Sequence, residues 1–253
     1  MICSFISDIH VESQNEAKAS LLLSFLNNPK VQESNRIYFL GDIFDALIGE
    51  HREYVEDFSF FFDEIIKLLN SGKEVYFIEG NHDFHFENIA KEKISESLNK
   101  HNFHYLTEGH TLQLNNNKYF VCHGYEVDYY NISFKRWYKV YSSRLFRFIV
   151  SYIFSYKFIR ESGSRASQNS KKRGGKYFNF REMKAKYLKG AKQLILDKDV
   201  KGVIAGHTHI KAFHQFENET FYINNGFPLK DKVFTYFDGN EFELCNIISE
   251  SDS

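Results

Sequence analysis

Short apolar runs alternate along this chain with longer stretches of helical periodicity. "ICSFIS" (2–7), "RIYFL" (36–40), "EVYFI" (74–78), "KYFVC" (118–122) and "VKGVIA" (200–205) are brief and rich in aromatic and β-branched residues, as buried strands are. Between the first of them lie "EAKASLLLSFLNN" (16–28) and "VEDFSFFFDEIIKLLN" (55–70). In the second, Phe58, Phe61, Phe62, Ile65, Ile66 and Leu69 recur at helical spacing. Near the end, "TFYINN" and "KVFTYFDGNEFEL" predict further strands with a tight turn at Asp238-Gly239. The alternation predicts an α/β protein whose sheets are buried under helices.

One segment breaks that rhythm. Between Tyr125 and Arg160, 13 of 36 residues are Phe, Tyr or Trp, interspersed with lysines and arginines. On one continuous helix, Arg136, Lys139, Arg144, Arg147 and Lys157 would fall within an arc of about 140°. The expectation is a basic, aromatic helical cap, roughly 126–190, inserted into a single domain that spans 1–253. Trp137 and its neighbours either pack this cap or meet lipid.

Charge sharpens the picture. The net charge is −1, yet residues 135–192 hold 17 Lys/Arg against Glu161 and Glu182 alone, leaving 15 basic and 31 acidic residues elsewhere. A block so dense in one sign attracts phosphates, nucleic acid or an anionic membrane surface. Composition is otherwise that of a globular chain, with 43% hydrophobic and 26% charged residues. Cys3, Cys122 and Cys245 form no C-x-x-C pair and read as core thiols of a reducing compartment. No basic n-region or cleavage site opens the chain, and the uncharged run Phe148–Tyr156 has only nine residues. A cytoplasmic location is expected.

The strand endings carry the chemistry. The predicted strands run into Asp8-Ile9-His10, Asp42, Asn81-His82-Asp83, His123-Gly124 and His207-Thr208-His209. In open α/β sheets the crevice beyond the carboxyl ends of strands is where ligands bind. The i, i+2 spacing of Asp8/His10 and His207/His209 lets extended backbone aim both members of a pair one way. So many polar groups beside a core are costly to desolvate unless something pairs with them, and a metal does so. Any one of these residues alone is a weak signal. Five in order, each after a strand, are a strong one.

The set Asp8, His10, "GDIFD", "GNHDF", "CHG" and "GHTH" resembles the calcineurin-like metallophosphoesterases. The resemblance implies an αββα sandwich of two sheets holding two divalent metals. Asp8, His10 and His209 would hold one with Asp42; Asn81, His123 and His207 would hold the other, with Asp42 bridging. His82 matches the histidine that contacts the reacting phosphate. Carboxylate, amide and imidazole donors without thiolate suit Mn²⁺, with iron or zinc as alternatives.

Within that family the chain is most similar to the UDP-2,3-diacylglucosamine hydrolases of lipid A synthesis, through "FISDIHVE", "YFLGDIFDALIG" and "GHTHIKAFH". This implies cleavage of a nucleotide-lipid pyrophosphate to UMP and a lipid monophosphate. The cap would read the headgroup and cover the acyl chains, at the inner face of the cytoplasmic membrane. "SRASQNSKKR" (164–173) then offers Arg165, Ser167, Asn169 and Lys172 as substrate contacts, beside Asn81 and His82. Two positions depart from the group. His82 stands where its members have Arg, and Tyr125 where they carry Asp, with Asp128 the candidate replacement. Phosphoprotein, cyclic nucleotide or nucleic acid are the alternative substrates. Nucleic acid is not favoured, and a catalytically silent scaffold is disfavoured because every ligand position is filled. Asp45 is expected to orient a ligand or cap a turn, and Asp83 and His214 to support ligands. His51, His85, His101, His104 and His110 are expected to be ordinary surface or core residues.

Overall fold

The computed structural model describes residues 1–165 and 179–248. Thirteen strands are seen among them: β1 Cys3–Ile6, β2 Arg36–Phe39, β3 Leu47–Ile48, β4 Glu74–Ile78, β5 Asp83–Phe84, β6 Phe103–Leu106, β7 His110–Leu114, β8 Asn117–Val121, β9 Gly202–Ala205, β10 Ala212–Gln215, β11 Phe221–Asn224, β12 Val233–Phe237 and β13 Phe242–Asn246. They form one sheet ordered β13-β12-β1-β2-β4-β6, a second ordered β10-β11-β9-β8-β7, and the short pair β3-β5. In the first sheet β1, β2, β4 and β6 run parallel; in the second, β8, β9 and β11 do.

Alternation along the strands builds the layers. Cys3 and Phe5 of β1, Tyr38 of β2 and Ile78 of β4 turn toward Leu112, Val121, Ile204 and Ile223 of the second sheet, closing an apolar layer between the sheets. Ile6, Ile37, Phe39, Val75 and Phe77 turn the other way, against Leu22, Phe25, Phe61 and Ile65 of the helices Ala17–Leu26 and Ser59–Asn70. The outer face of the second sheet packs Phe120, Val203 and Tyr222 on Tyr187, Ala191, Leu194 and Ile195 of the helix Phe180–Lys198. Helices thus cover both outer faces, a four-layer α/β sandwich. Burying each such aromatic or aliphatic side chain contributes about 1.5–3 kcal/mol. The three cysteines are free and buried.

The predicted strands form within a residue or two of the expected bounds, and β12 and β13 flank the Asp238-Gly239 turn. The run 55–70 is not one helix. Glu53–Asp57 and Ser59–Asn70 are separate, meeting at Phe58, whose backbone leaves helical geometry. The strands β6, β7 and β10, absent from the sequence expectation, are short and interleaved with polar residues such as His104, Gln113 and His214.

The aromatic segment is also not one continuous helix. It comprises Ile132–Tyr141, Arg144–Phe148 capped by the Ser143 side chain on the Phe146 N–H, a π-turn at Ile149–Ile153, and helical backbone again over 156–165. The single basic arc therefore does not form. Arg147 turns inward instead, 2.6 Å from Glu50 and 3.5 Å from Glu87. Among the described residues no helix is long and apolar enough to cross a membrane.

Candidate metal centre

Five parallel strands end at one edge of the sandwich. Asp8 and His10 follow β1, Asp42 follows β2, and Asn81 and His82 follow β4; His123 follows β8, and His207 and His209 follow β9. Asp8, His10, Asp42, His207 and His209 all have φ between 54° and 70°, the left-handed region that β-carbons disfavour. Each such residue costs about 1 kcal/mol or more. Five at one locus mark a constellation held for its geometry. Gly41, at φ 78°, lies where a Cβ would stand 2.5 Å from the Gly80 nitrogen, so the turns bearing Asp42 and Asn81 pass too closely for any side chain.

The side chains gather into two clusters. In one, His209 Nε2 is 3.4 Å from Asp8 Oδ1 and 3.1 Å from His10 Nε2. In the other, His123 Nε2 is 3.5 Å from Asp42 Oδ2, 3.2 Å from His207 Nδ1 and 3.3 Å from Asn81 Oδ1. The same Asp42 oxygen is 3.8 Å from His10 Nε2, so it stands between the clusters. Donors held about 2.1 Å from one cation are spaced by roughly 3.0–3.4 Å in tetrahedral or octahedral geometry. The residues fit a pair of cations.

Neighbouring groups fix the donors. His123 Nδ1–H donates to the Leu40 carbonyl at 2.6 Å, which turns the Nε2 lone pair toward Asp42. Asp8 accepts from the His207 N–H at 2.8 Å and from the Ser7 hydroxyl, which also reaches Asn225 Oδ1 at 2.9 Å. Phe227 stacks on His209, ring centres 5.0 Å apart. Asp45 Oδ1 lies 3.4 Å from His10 Nδ1 and 3.6 Å from His82 Nδ1, so this carboxylate faces two imidazoles.

Electrostatics favour ligand-competent forms. Burial pushes His10 below its ordinary value and His207 down to about 4, keeping both rings neutral and their lone pairs available near pH 7. Burial works against ionisation of Asp8 and Asp42. The His209 contact with Asp8, and the imidazoles of His123, His82, His10 and His207 around Asp42, outweigh it and hold both carboxyls below the usual range.

A cavity of about 840 Å³ opens beside the clusters. Asp45, Asn81, His82 and His207 form its polar end; Phe84, Trp137, Phe146, Val150, Phe154 and Phe158 line much of the rest. Basic residues of the segment 132–198 are partly tied to the core, with Lys186 2.6 Å from Asp128 and the Arg160 guanidinium on the Glu12 carbonyl at 2.9 Å. Large apolar side chains there remain exposed, including Leu145 at 69%, Ile132 at 66% and Tyr152 at 65%.

The structure thus brings together Asp8, His10, Asp42, Asn81, His82, His123, His207 and His209. Arg165 is 77% exposed and pairs with Glu161 at 3.5 Å. Ser167, Asn169 and Lys172 lie outside the described residues. Tyr125 is buried against His123, ring centres 5.6 Å apart, and His214 packs on Phe216. Sequence reading overlooked Ser7, Asn224 and Asn225. Asn224 Nδ2 donates to the Gly206 carbonyl at 2.5 Å, and the "INNG" run after a strand was the signal available.

Comparison with known proteins agrees with this architecture. A family model described as calcineurin-like phosphoesterase matches residues 4–211. A UDP-2,3-diacylglucosamine hydrolase of Neisseria meningitidis serogroup A is 39% identical over 80 residues, 32% of this chain; the match spans only 33% of that relative's length. The protein of that name from Haemophilus influenzae is 26% identical over 225 residues, covering 85% of this chain and 86% of its own. A solved archaeal phosphodiesterase shares the fold, with TM-score 0.50 and 12% identity over 97% of this chain and 99% of its own.

Proposed function

Since the chain belongs to the calcineurin-like phosphoesterase family, we propose that it is a metal-dependent hydrolase cleaving the pyrophosphate bond of a UDP-diacylglucosamine-like nucleotide lipid, giving UMP and a lipid monophosphate. One observation carries the reading. The cavity that begins at Asn81, His82 and His207 continues along Phe84, Phe146, Val150 and Phe154. Its volume of about 840 Å³ lies in the range of sites that engulf whole small ligands, ~300–1,000 Å³. A phosphate at the polar end would leave an apolar tail in the remainder. The similarity to the Neisseria and Haemophilus hydrolases supports the same headgroup.

In this reading Asp8, His10 and His209 would hold one divalent ion and Asn81, His123 and His207 the other, with Asp42 shared between them. The carboxylate and amide oxygens of this thiolate-free set suit Mn²⁺, and its imidazoles suit iron and zinc as alternatives. When bound, the pair supplies charge to neutralise a phosphate and to acidify water. The chain's own part is orientation and proton handling. His82 Nδ1–H donates to the Asp45 carbonyl at 2.9 Å, which leaves Nε2 for the substrate side. From there a ring protonated on both nitrogens would give the Nε2 proton to the leaving oxygen. His82, with Asp45 beside it, takes the place that Arg has in the hydrolases.

The chain is read as one domain, 1–253, carrying the cap at about 126–190, with Arg165, Ser167, Asn169 and Lys172 as headgroup contacts. Exposed Ile132, Leu145, Phe148, Tyr152 and Ile153, together with the basic residues among them, suit the anionic inner face of a cytoplasmic membrane. His82 and Tyr125, where the hydrolases carry Arg and Asp, favour as second reading a different phosphoester with an apolar substituent. Nucleic acid is disfavoured because, among the described residues, no lysine or arginine lines the cavity to track a phosphate backbone.

The test is release of UMP from UDP-2,3-diacylglucosamine in mixed micelles by Mn²⁺-loaded protein, with sedimentation on vesicles of phosphatidylglycerol as the membrane arm. No turnover of the lipid, alongside brisk cleavage of bis(p-nitrophenyl) phosphate, would remove the nucleotide-lipid reading and leave the phosphoesterase.

A further inference from the structure

Tyr141 closes the helix Ile132–Tyr141 and is buried between the cap segment and the metal centre. Its hydroxyl donates to the Gly80 carbonyl at 2.5 Å. Gly80 immediately precedes Asn81 and His82, the residues at the polar end of the cavity. The other side of the ring faces the cavity wall. It stacks on Trp137 with centres 4.9 Å apart and meets Phe84 at 4.2 Å, and both of those side chains line the cavity.

The tyrosine is held at a second point. His85 Nε2–H donates to the Tyr141 carbonyl at 2.8 Å, and His85 Nδ1 lies 3.4 Å from Glu79 Oε1. That buried carboxylate also accepts from the His85 N–H and from the Tyr105 hydroxyl, each at 2.7 Å. Glu79 and Gly80 are consecutive. The end of the cap helix is therefore pinned twice to the turn that presents Asn81 and His82.

We propose that Tyr141 is a positioning residue. Filling the cavity with an apolar chain presses Trp137 and Phe84 against its ring, and the hydroxyl passes that constraint to the Gly80 peptide, setting Asn81 and His82 for reaction. Binding energy gained far from the reacting atoms is thereby used at them, so a long-tailed substrate gains in kcat and not only in KM. The inference rests on the phosphoesterase reading and its cavity, and is independent of the nucleotide headgroup.

The test compares p-nitrophenyl dodecyl phosphate with p-nitrophenyl ethyl phosphate on the whole Mn²⁺-loaded protein. The wild type is expected to show a dodecyl-to-ethyl kcat ratio of about tenfold or more, since small misplacements at a reacting centre cost up to ~10²-fold. Tyr141→Phe keeps the ring and is expected to bring the ratio toward one, with the dodecyl KM moved less than about twofold and metal content unchanged. Trp137→Leu, at a half-exposed position, is expected to lower the ratio while leaving the hydroxyl in place. A wild-type ratio near one, a ratio unmoved in Tyr141→Phe, or an effect confined to KM would each overturn the proposal. Should Tyr141→Phe not fold, an unmoved ratio in Trp137→Leu overturns it alone. If UDP-diacylglucosamine is inert while the ratio still depends on Tyr141, the coupling stands and the nucleotide reading falls.

Discussion

The carboxylate of Asp83 sits beneath Asp42, accepting the Asp42 N–H at 2.8 Å together with those of Ile43 at 2.6 Å, Phe44 at 3.1 Å and Gly80 at 3.0 Å. One buried side chain thus fixes the two turns that carry Asp42 and Asn81. Asp83→Asn puts an amide donor against N–H donors. It is expected to cost about 1–3 kcal/mol of stability and to weaken metal binding by roughly 10-fold or more. Urea melts and metal titration of the same preparation measure both; unchanged affinity would assign Asp83 to folding alone.

His123 touches Asp42, Asn81 and His207 through a single nitrogen. His123→Ala is expected to lower kcat on bis(p-nitrophenyl) phosphate by about 10²–10³, the scale lost with one organised electrostatic group. Elemental analysis is expected to find fewer metal ions per chain than in the wild type. Full activity in that variant would remove the second cluster from the chemistry.

Ions that bind only the folded chain stabilise it by mass action, by about 2.7 kcal/mol at a hundred times Kd. Chelation is therefore expected to lower the melting temperature and abolish hydrolysis together, and Mn²⁺ to restore both. A melting temperature indifferent to Mn²⁺ would argue against the paired clusters of Asp8, His10, His209 and Asp42, His123, His207 as a cation site.

His110 lies beside the stacked pair Tyr38 and Tyr76, ring centres 5.8 and 5.7 Å away. Burial, then the charges of Arg36 and His104, push its imidazole from 6.5 down to about 4. Between those values the unfolded chain binds a proton that the folded chain excludes. Its contribution is thus intact above pH 6.5 and is lost as pH falls toward 4, at ~1.4 kcal/mol for each pH step of one across that window. His110→Phe retains the stack and is expected to flatten the fall in urea midpoint over the same range. An unchanged slope against wild type at fixed Mn²⁺ would exclude His110 as a source of acid sensitivity.

Much of this was legible in the order of residues. A strand needs only a short apolar run, and the polar residue that ends it is written next to it, so Asp8, Asp42, Asn81, His123 and His207 could be picked out one strand at a time. The two-sheet arrangement followed from the family resemblance, since alternation alone does not tell one sheet from two. What helical periodicity misjudged was the continuity of the segment. Placed on one helix its basic residues shared a single arc, but Ser143 starts a new helix after Tyr141, and Arg147 turns to Glu50. Local periodicity carries no record of which charges a neighbouring element will neutralise.

By itself, the sequence determined the element types and the candidate donor types, carboxylate, amide and imidazole, because each depends on neighbours a few positions away. Tertiary structure alone decided that Asp42 stands between two imidazole clusters, that Asp83 ties the Asp42 and Asn81 turns together, and that an apolar cavity reaches His82. Those are relations between residues far apart in the chain, set by how two sheets and a cap pack. No period or motif along a chain encodes such distances.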